Sequence, residues 1–262
     1  MRIDYFKNIR HIPHFYMIRS VESRILSDYI EKAEGPFLDL GCGNGTFGKA
    51  LELYNIYGID IKAEAIAGIK DNGYYTKVLI ATASEIPFPE GFFMTIFANC
   101  ALEHMDKIDQ VISEVRRVLK RDGKFIFTVP TRQFLYVIEK DKVIKGFGLN
   151  SKESIARYNE IHHHVNILDY EEWKKKIENR GFKILKYGYY LPGSIGGFVG
   201  RMDMLYTLEA PGSKETLQKI EKRYKSIRGL PFRMYFNRYI KNLYNGSKGT
   251  HLIIKAAKVL KI

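Results

Sequence analysis

Leu38-Asp39-Leu40-Gly41-Cys42-Gly43-Asn44-Gly45-Thr46-Phe47-Gly48-Lys49-Ala50-Leu51 is the stretch that decides the fold. The apolar run Phe37–Leu40 reads as a short strand, the glycines as a tight turn, and Phe47–Leu53 as the helix that the turn opens. Glycines in such a turn let a ligand approach main-chain amides with no β-carbon in the way. Ile56–Asp60 reads as the next strand, and its final acid lies 19 residues past Gly41, the reach of one strand–helix–strand step. From that position the Asp60 carboxylate can accept from both hydroxyls of a ribose.

The alternation continues outward from this unit. Ala63–Lys70 reads as a helix, and Tyr75–Ile80 and Phe93–Asn99 as strands. Asp106–Lys120 is expected to be a helix with Asp106 as its cap and Ile108, Val111, Ile112, Val115, Val118 and Leu119 inward. Arg121-Asp122-Gly123 turns into a fifth strand, Lys124–Val129, ended by Pro130. Strands alternating with helices imply parallel pairing in a sheet covered on both faces. Ahead of it, Phe15–Ala33 reads as an amphipathic helix. Behind it, Thr131–Ile167 is less regular. Asp169–Arg180 reads as a helix capped by Asp169 and stopped by Gly181, Phe182–Tyr190 as a strand, and Thr250–Val259 as a last strand, with a terminal helix over Leu252–Leu260 as the competing reading. The fold expected is therefore α/β, a Rossmann-like doubly wound, mostly parallel sheet with a helical cap insertion. Its parts are an N-terminal helical segment (1–36), a core (37–190 with 250–262) and a basic-aromatic cap inserted between the last two strands (191–249).

Asp39 narrows the ligand. In a dinucleotide enzyme a diphosphate rests on the glycine turn, and a carboxylate beside it would be repulsive. The ammonium of a methionine moiety would be attracted instead, which favours S-adenosylmethionine. Leu38 to Thr46 resembles the first motif of class I methyltransferases in their small-molecule, type 11 version. Tyr57-Gly58-Ile59-Asp60 resembles the ribose-binding strand end. Glu85-Ile86-Pro87-Phe88 resembles the segment before the fourth strand, and Leu119 to Phe125 the turn into the fifth. The resemblance covers Phe37 to Pro130 well and Asp169 to Tyr190 loosely. It implies that Asp39, Gly41, Gly43 and Gly45, with Cys42 and Asn44 between them, surround the methionine part. It implies that Asp60 and Ile61 hold ribose and adenine, that Ala83 and Ser84 flank the adenine, and that Asn99 faces the sulfonium. Two positions depart from the family: Thr82 stands where relatives carry an acid for the adenine amino group, and Met94 where they carry Asp.

For the acceptor, two histidines are candidates. His104, in Glu103-His104 after the fourth strand, can take a proton from a substrate hydroxyl, although the pair also reads as loop packing. In some quinone-pathway relatives a Glu-x-x-Glu-His run binds a metal; here Cys100 replaces the first Glu. His162-His163-His164 does not read as a metal site either, because adjacent residues of an extended chain alternate sides. His164 precedes the Asp169 helix as a single His does in relatives, and could line the acceptor pocket, or the three could form a surface run. No metal is expected.

Charge points to partners. The 262 residues carry a net charge of +13, and Ser213 to Lys248 holds ten bases against two acids. Such a surface suits an anionic membrane, a nucleic acid or a phosphorylated substrate, or only solubilises. After Pro231, Phe232, Tyr235, Phe236, Tyr239, Ile240 and Leu243 recur at helical spacing, flanked by Arg233, Arg238 and Lys241. That helix would lie on an anionic bilayer and admit a lipid-linked acceptor, or act as a lid packed on the protein's own core. Two cysteines do not make a disulfide framework, no run reaches the roughly 20 apolar residues of a membrane span, and Met1 to Arg10 is no secretory leader. A cytoplasmic enzyme is expected, with peripheral membrane contact as an option. Its acceptor would be a small or lipid-linked molecule; RNA is the second candidate, and a non-catalytic cofactor-binding regulator the third. Oligomeric state is not legible.

Overall fold

The computed structural model describes residues 13–69, 73–209, 211–227, 244–246 and 248–259. Eight strands form one sheet: β1 (Phe37–Leu40), β2 (Ile56–Asp60), β3 (Tyr75–Ile80), β4 (Phe93–Asn99), β5 (Leu119–Pro130), β6 (Phe182–Tyr190), β7 (Tyr244–Gly246) and β8 (His251–Lys258). Their order across the sheet is β3-β2-β1-β4-β5-β8-β6-β7. The first five pair in parallel, and β8 runs antiparallel between β5 and β6. The strand order reverses beside β1, and the carboxyl ends of the strands at such a reversal are where open α/β sheets bind ligands.

Both faces are covered. Helix α1 (Pro13–Ile30) lays Ile18, Val21, Ile25 and Leu26 on one face, against Phe97, Ile126 and Ile253. On the other, α4 (Ile108–Val118) and α8 (Tyr170–Glu178) pack Ile112, Val115, Trp173 and Ile177 against Phe125, Phe127 and Ile254. Residues 125, 126 and 127 alternate between the two clusters, the period of a strand buried on both sides.

Several boundaries differ from the sequence expectations. Helix α4 is not capped by Asp106: Lys107 takes the cap position with φ 52°, while exposed Asp106 meets His163 at 3.3 Å. The turn Arg121-Asp122-Gly123 lies inside β5, because the register with β4 jumps from Phe93↔Leu119 to Thr95↔Lys124 and the intervening residues bulge outward. Thr131–Ile167 is more regular than its sequence suggests. It holds α5 (Arg132–Glu139), α6 (Lys142–Gly146) and α7 (Lys152–Ile161). Asp141 caps α6 by accepting from Val143 and Ile144 N–H, and Ser151 caps α7 by accepting from Ser154 N–H. The chain end is a strand and not a helix, since His251 to Lys258 pair with β6 on one side and nearly all with β5 on the other. Asp169 caps α8 as expected, in a capping box with Glu172.

Between β6 and β8 lie α9 (Gly193–Leu208), α10 (Ser213–Ile227) and the short β7. Helix α9 packs on α1, α5, α6 and α7. The aromatic stripe from Phe232 to Leu243 lies outside the described residues. Among the described residues no helix is long and apolar enough to cross a membrane.

Candidate active site

The turn after β1 leads into α2 (Thr46–Ala50). Gly41, Gly43 and Gly45 take positive φ values of 76°, 50° and 71°. A Cβ placed on Gly43 would meet nothing within 4 Å, so open space lies over this part of the turn. The Gly43 N–H donates to Asp60 Oδ2 at 2.9 Å, and Lys62 N–H donates to Asp60 Oδ1 at 2.9 Å. Half-buried Asp60 is therefore fixed at the end of β2 with lone pairs to spare for further donors. Asn44 orders the turn from within, accepting from Thr46 N–H at 3.2 Å. Cys42 is buried against Gly58, so it offers a ligand only its backbone. Ile61 is 69 % exposed beside Asp60, an apolar surface with no cover. At the end of β3, the hydroxyls of Thr82 and Ser84 stand 3.0 Å apart.

Asp39 lies deeper. It is 2 % exposed and takes a hydrogen bond from the Tyr75 hydroxyl at Oδ2. Burial pushes its carboxyl up to about 7, against the lowering effect of Tyr75 and with a further rise from nearby Asp60.

At the end of β4 the side chains form a closed polar network around Glu22 of α1. Asn99 Nδ2 donates to Glu22 Oε2 at 2.9 Å, and Thr128 donates to Asn99 Oδ1 at 2.9 Å. The Cys100 thiol and the Tyr190 hydroxyl donate to Glu22 Oε1 at 3.0 and 3.3 Å, and Arg19 meets Oε2 at 2.6 Å. Glu22 is fully buried, which opposes ionisation, yet Arg19 and these donors hold its carboxyl below the usual range. Asn99 thus spends its amide on protein groups. Cys100, at φ 44°, turns the chain away from the sheet.

The two candidate histidines come together. Their rings stack at 5.1 Å, and His162 also stacks on His164, at 5.3 Å. Burial lowers the pKa of His104, and that of His164 to about 3, so both imidazoles are neutral at pH 7. His104 Nε2 lies 3.8 Å from Glu103 Oε1, while Glu103 Oε2 is buried and has no partner. Burial pushes Glu103 up to about 8. His163 points away, to exposed Asp106. Among the described residues no three His, Cys, Asp or Glu side chains converge to hold a metal ion.

Residues 38–127 match the sequence profile described as a methyltransferase domain. An uncharacterized protein of Methanocaldococcus jannaschii is 32% identical over 179 residues, covering 64% of this chain and 69% of that protein. The chain belongs to the class I S-adenosylmethionine-dependent methyltransferases. A ubiquinone/menaquinone biosynthesis C-methyltransferase of Paraburkholderia xenovorans is 25% identical over 178 residues, 62% of this methyltransferase and 73% of that one. In fold, this methyltransferase is similar to a geranyl diphosphate C-methyltransferase from Streptomyces coelicolor, solved with S-adenosylhomocysteine. The TM-score is 0.57 and the identity 15%, over 93% of this chain and 79% of that one. The cofactor of the methyltransferase is S-adenosylmethionine, and the open glycine turn flanked by an ionisable acid on each side fits it.

Sequence reasoning had missed Tyr75, Arg19, Glu22, Thr128 and Tyr190. One signal was available for Glu22. It falls four residues after Ile18 and three and four before Ile25 and Leu26, so it is a charge on the buried stripe of α1.

Proposed function

We propose that the enzyme methylates a small or lipid-linked molecule whose reacting atom enters between the end of β4 and the Glu103-His104 turn. The observation that carries this reading is the placement of His104, neutral and half-buried, beside the Glu103 carboxyl, whose Oε2 is buried without a hydrogen-bond partner. On this reading Gly41 to Gly45 and Asp39 hold the methionine part, Asp60 the ribose, and Ile61, Thr82, Ala83 and Ser84 the adenine. When bound, the cofactor supplies an electrophilic methyl group on a positive sulfur. The acceptor atom would take that methyl, with the electron pair of the broken carbon–sulfur bond left on sulfur. His104 takes the proton of an O–H or N–H acceptor, which its neutral state allows. The Glu22 network holds the floor of the site rigid and shields it from water, so that alignment supplies most of the remaining acceleration. Quinone-pathway and isoprenoid C-methyltransferases among the similar proteins fit an acceptor of this class. The cap 191–249 would wall the acceptor side, its basic segment suiting phosphate or an anionic lipid surface.

Methyl-labelled cofactor added to a fractionated cell extract tests the reading. Label in the small-molecule or lipid fraction supports it. Label confined to RNA would establish the nucleic-acid alternative, and cofactor binding with no label in any fraction would favour a regulator without turnover.

A further inference from the structure

A tyrosine reaches across the sheet to an acid two strands away. Tyr75 opens β3, and Asp39 lies in β1, with β2 between them. The Tyr75 hydroxyl nevertheless donates to Asp39 Oδ2 at 2.5 Å. Two glycines clear its path. A Cβ on Gly58 of β2 would stand 3.1 Å from the Tyr75 ring, and one on Gly48 of α2 would stand 2.5 Å from its hydroxyl oxygen. The ring is thus held between a strand and a helix, and its hydroxyl is aimed at one oxygen of Asp39. Among the described residues the Asp39 carboxylate takes this one side-chain hydrogen bond, at Oδ2 and not at Oδ1.

We propose that Tyr75 is a positioning residue for the cofactor: it pins Asp39 Oδ2 so that Oδ1 is presented to the methionine ammonium. This deepens the cofactor site assigned above and rests on it. The titratable groups that bear on Asp39 are Tyr75 from β3, Asp60 from β2 and Cys42 from the glycine turn. Burial is the largest influence and raises the Asp39 carboxyl to about 7. The Tyr75 hydrogen bond favours the charged form and opposes that rise. Near neutral pH a share of the free protein therefore carries a protonated Asp39. A cation placed against it drives ionisation: the O–H bond breaks, its electrons stay on the carboxylate, and the proton leaves to solvent. Affinity for the cofactor then climbs with pH until Asp39 is ionised in the free protein, and levels off above that point.

The test is calorimetric binding of S-adenosylhomocysteine between pH 5.5 and 8, in two buffers of different ionisation heat so that released protons are counted. For the wild type, affinity should rise roughly tenfold per pH unit on the acid side and bend near 7. Tyr75→Phe keeps the ring and loses the hydroxyl. The bend should move up by about one unit, with affinity several-fold weaker at pH 6.5 and largely restored at pH 8. Asp39→Asn should abolish both the pH dependence and the proton release. Tyr75→Met, which fills the same space without a hydroxyl, takes the place of the phenylalanine variant should that not fold. A merely structural role for Tyr75 would lower the melting temperature or weaken binding equally at every pH, leaving the bend in place, and that result overturns the proposal while the site stands. A wild-type protein that binds no S-adenosylhomocysteine overturns the site and this proposal with it.

Discussion

The amide nitrogen of Asn99 donates to the Glu22 carboxylate at 2.9 Å, which ties the end of β4 to the helix that precedes the whole sheet. A charge buried in that helix is thereby joined to the strand end that the proposed site uses. Arg19, Cys100 and Tyr190 complete the set of donors.

Removing Glu22 should therefore cost stability. Glu22→Ala leaves the Arg19 guanidinium without its carboxylate partner and three further donors unsatisfied; because Arg19 keeps partial contact with solvent, the loss should fall somewhat below the roughly 3–5 kcal/mol of a fully buried pair. Urea unfolding of Glu22→Ala against wild type measures it, with Glu22→Gln expected to retain part of the network and part of the loss. The folded carboxyl has a lowered pKa, so its contribution is present above the ordinary glutamate range and is lost as pH falls below it. An unchanged urea midpoint in Glu22→Ala would mean that the network is not a structural element.

Stability should also fall on the alkaline side of neutrality. Asp39 and Glu103 are raised to about 7 and about 8, so the folded state keeps protons that the unfolded chain has already lost. Their contribution is full below the ordinary carboxyl range and is lost as pH rises through those values. His164 and His251 act in the opposite sense: burial lowers them to about 3 and about 4, and their contribution is complete above the unfolded value near 6.5. Between pH 6.5 and 8 the two carboxyls lose more than the histidines still gain as their unfolded forms finish deprotonating, so the net loss should be about 1 kcal/mol. Denaturant midpoints at the two pH values check this, and Glu103→Gln should flatten the slope.

His104→Gln should slow transfer to an O–H or N–H acceptor by about 10²-fold or more while leaving S-adenosylhomocysteine affinity unchanged. Because burial lowers the pKa of His104, the acid limb of the wild-type rate profile should lie below the usual histidine range. Single-turnover rates across pH read both effects. A variant as fast as wild type would remove His104 from the chemistry.

What the sequence made legible followed short-range rules. β1, β2, β3, β4 and β6 fall where apolar runs and breakers put them, and Gly43 and Asp60 meet as one strand–helix–strand step requires. What it hid depends on long-range contact. Tyr75 reads as an ordinary strand residue until the sheet brings it beside Asp39, 36 positions earlier in the chain. The contact between Glu22 and Tyr190 spans 168 positions. α5 to α7 were obscured because their helices are short and their inward faces small, with only Phe134, Ile138, Ile144 and Tyr158 buried. Asp106 looked like a cap because its residue type suits one, but left-handed Lys107 starts the helix instead.

Asp60, whose carboxylate accepts from the glycine turn at Gly43, is the proposed ribose acceptor on which cofactor binding depends most. Calorimetry of S-adenosylhomocysteine with wild type and Asp60→Ala measures that role. Asp60→Ala should lose about 1.5–3 kcal/mol, or roughly 10- to 150-fold in affinity, with the melting temperature of the free protein changed little by comparison. Equal affinity in the two proteins would contradict it.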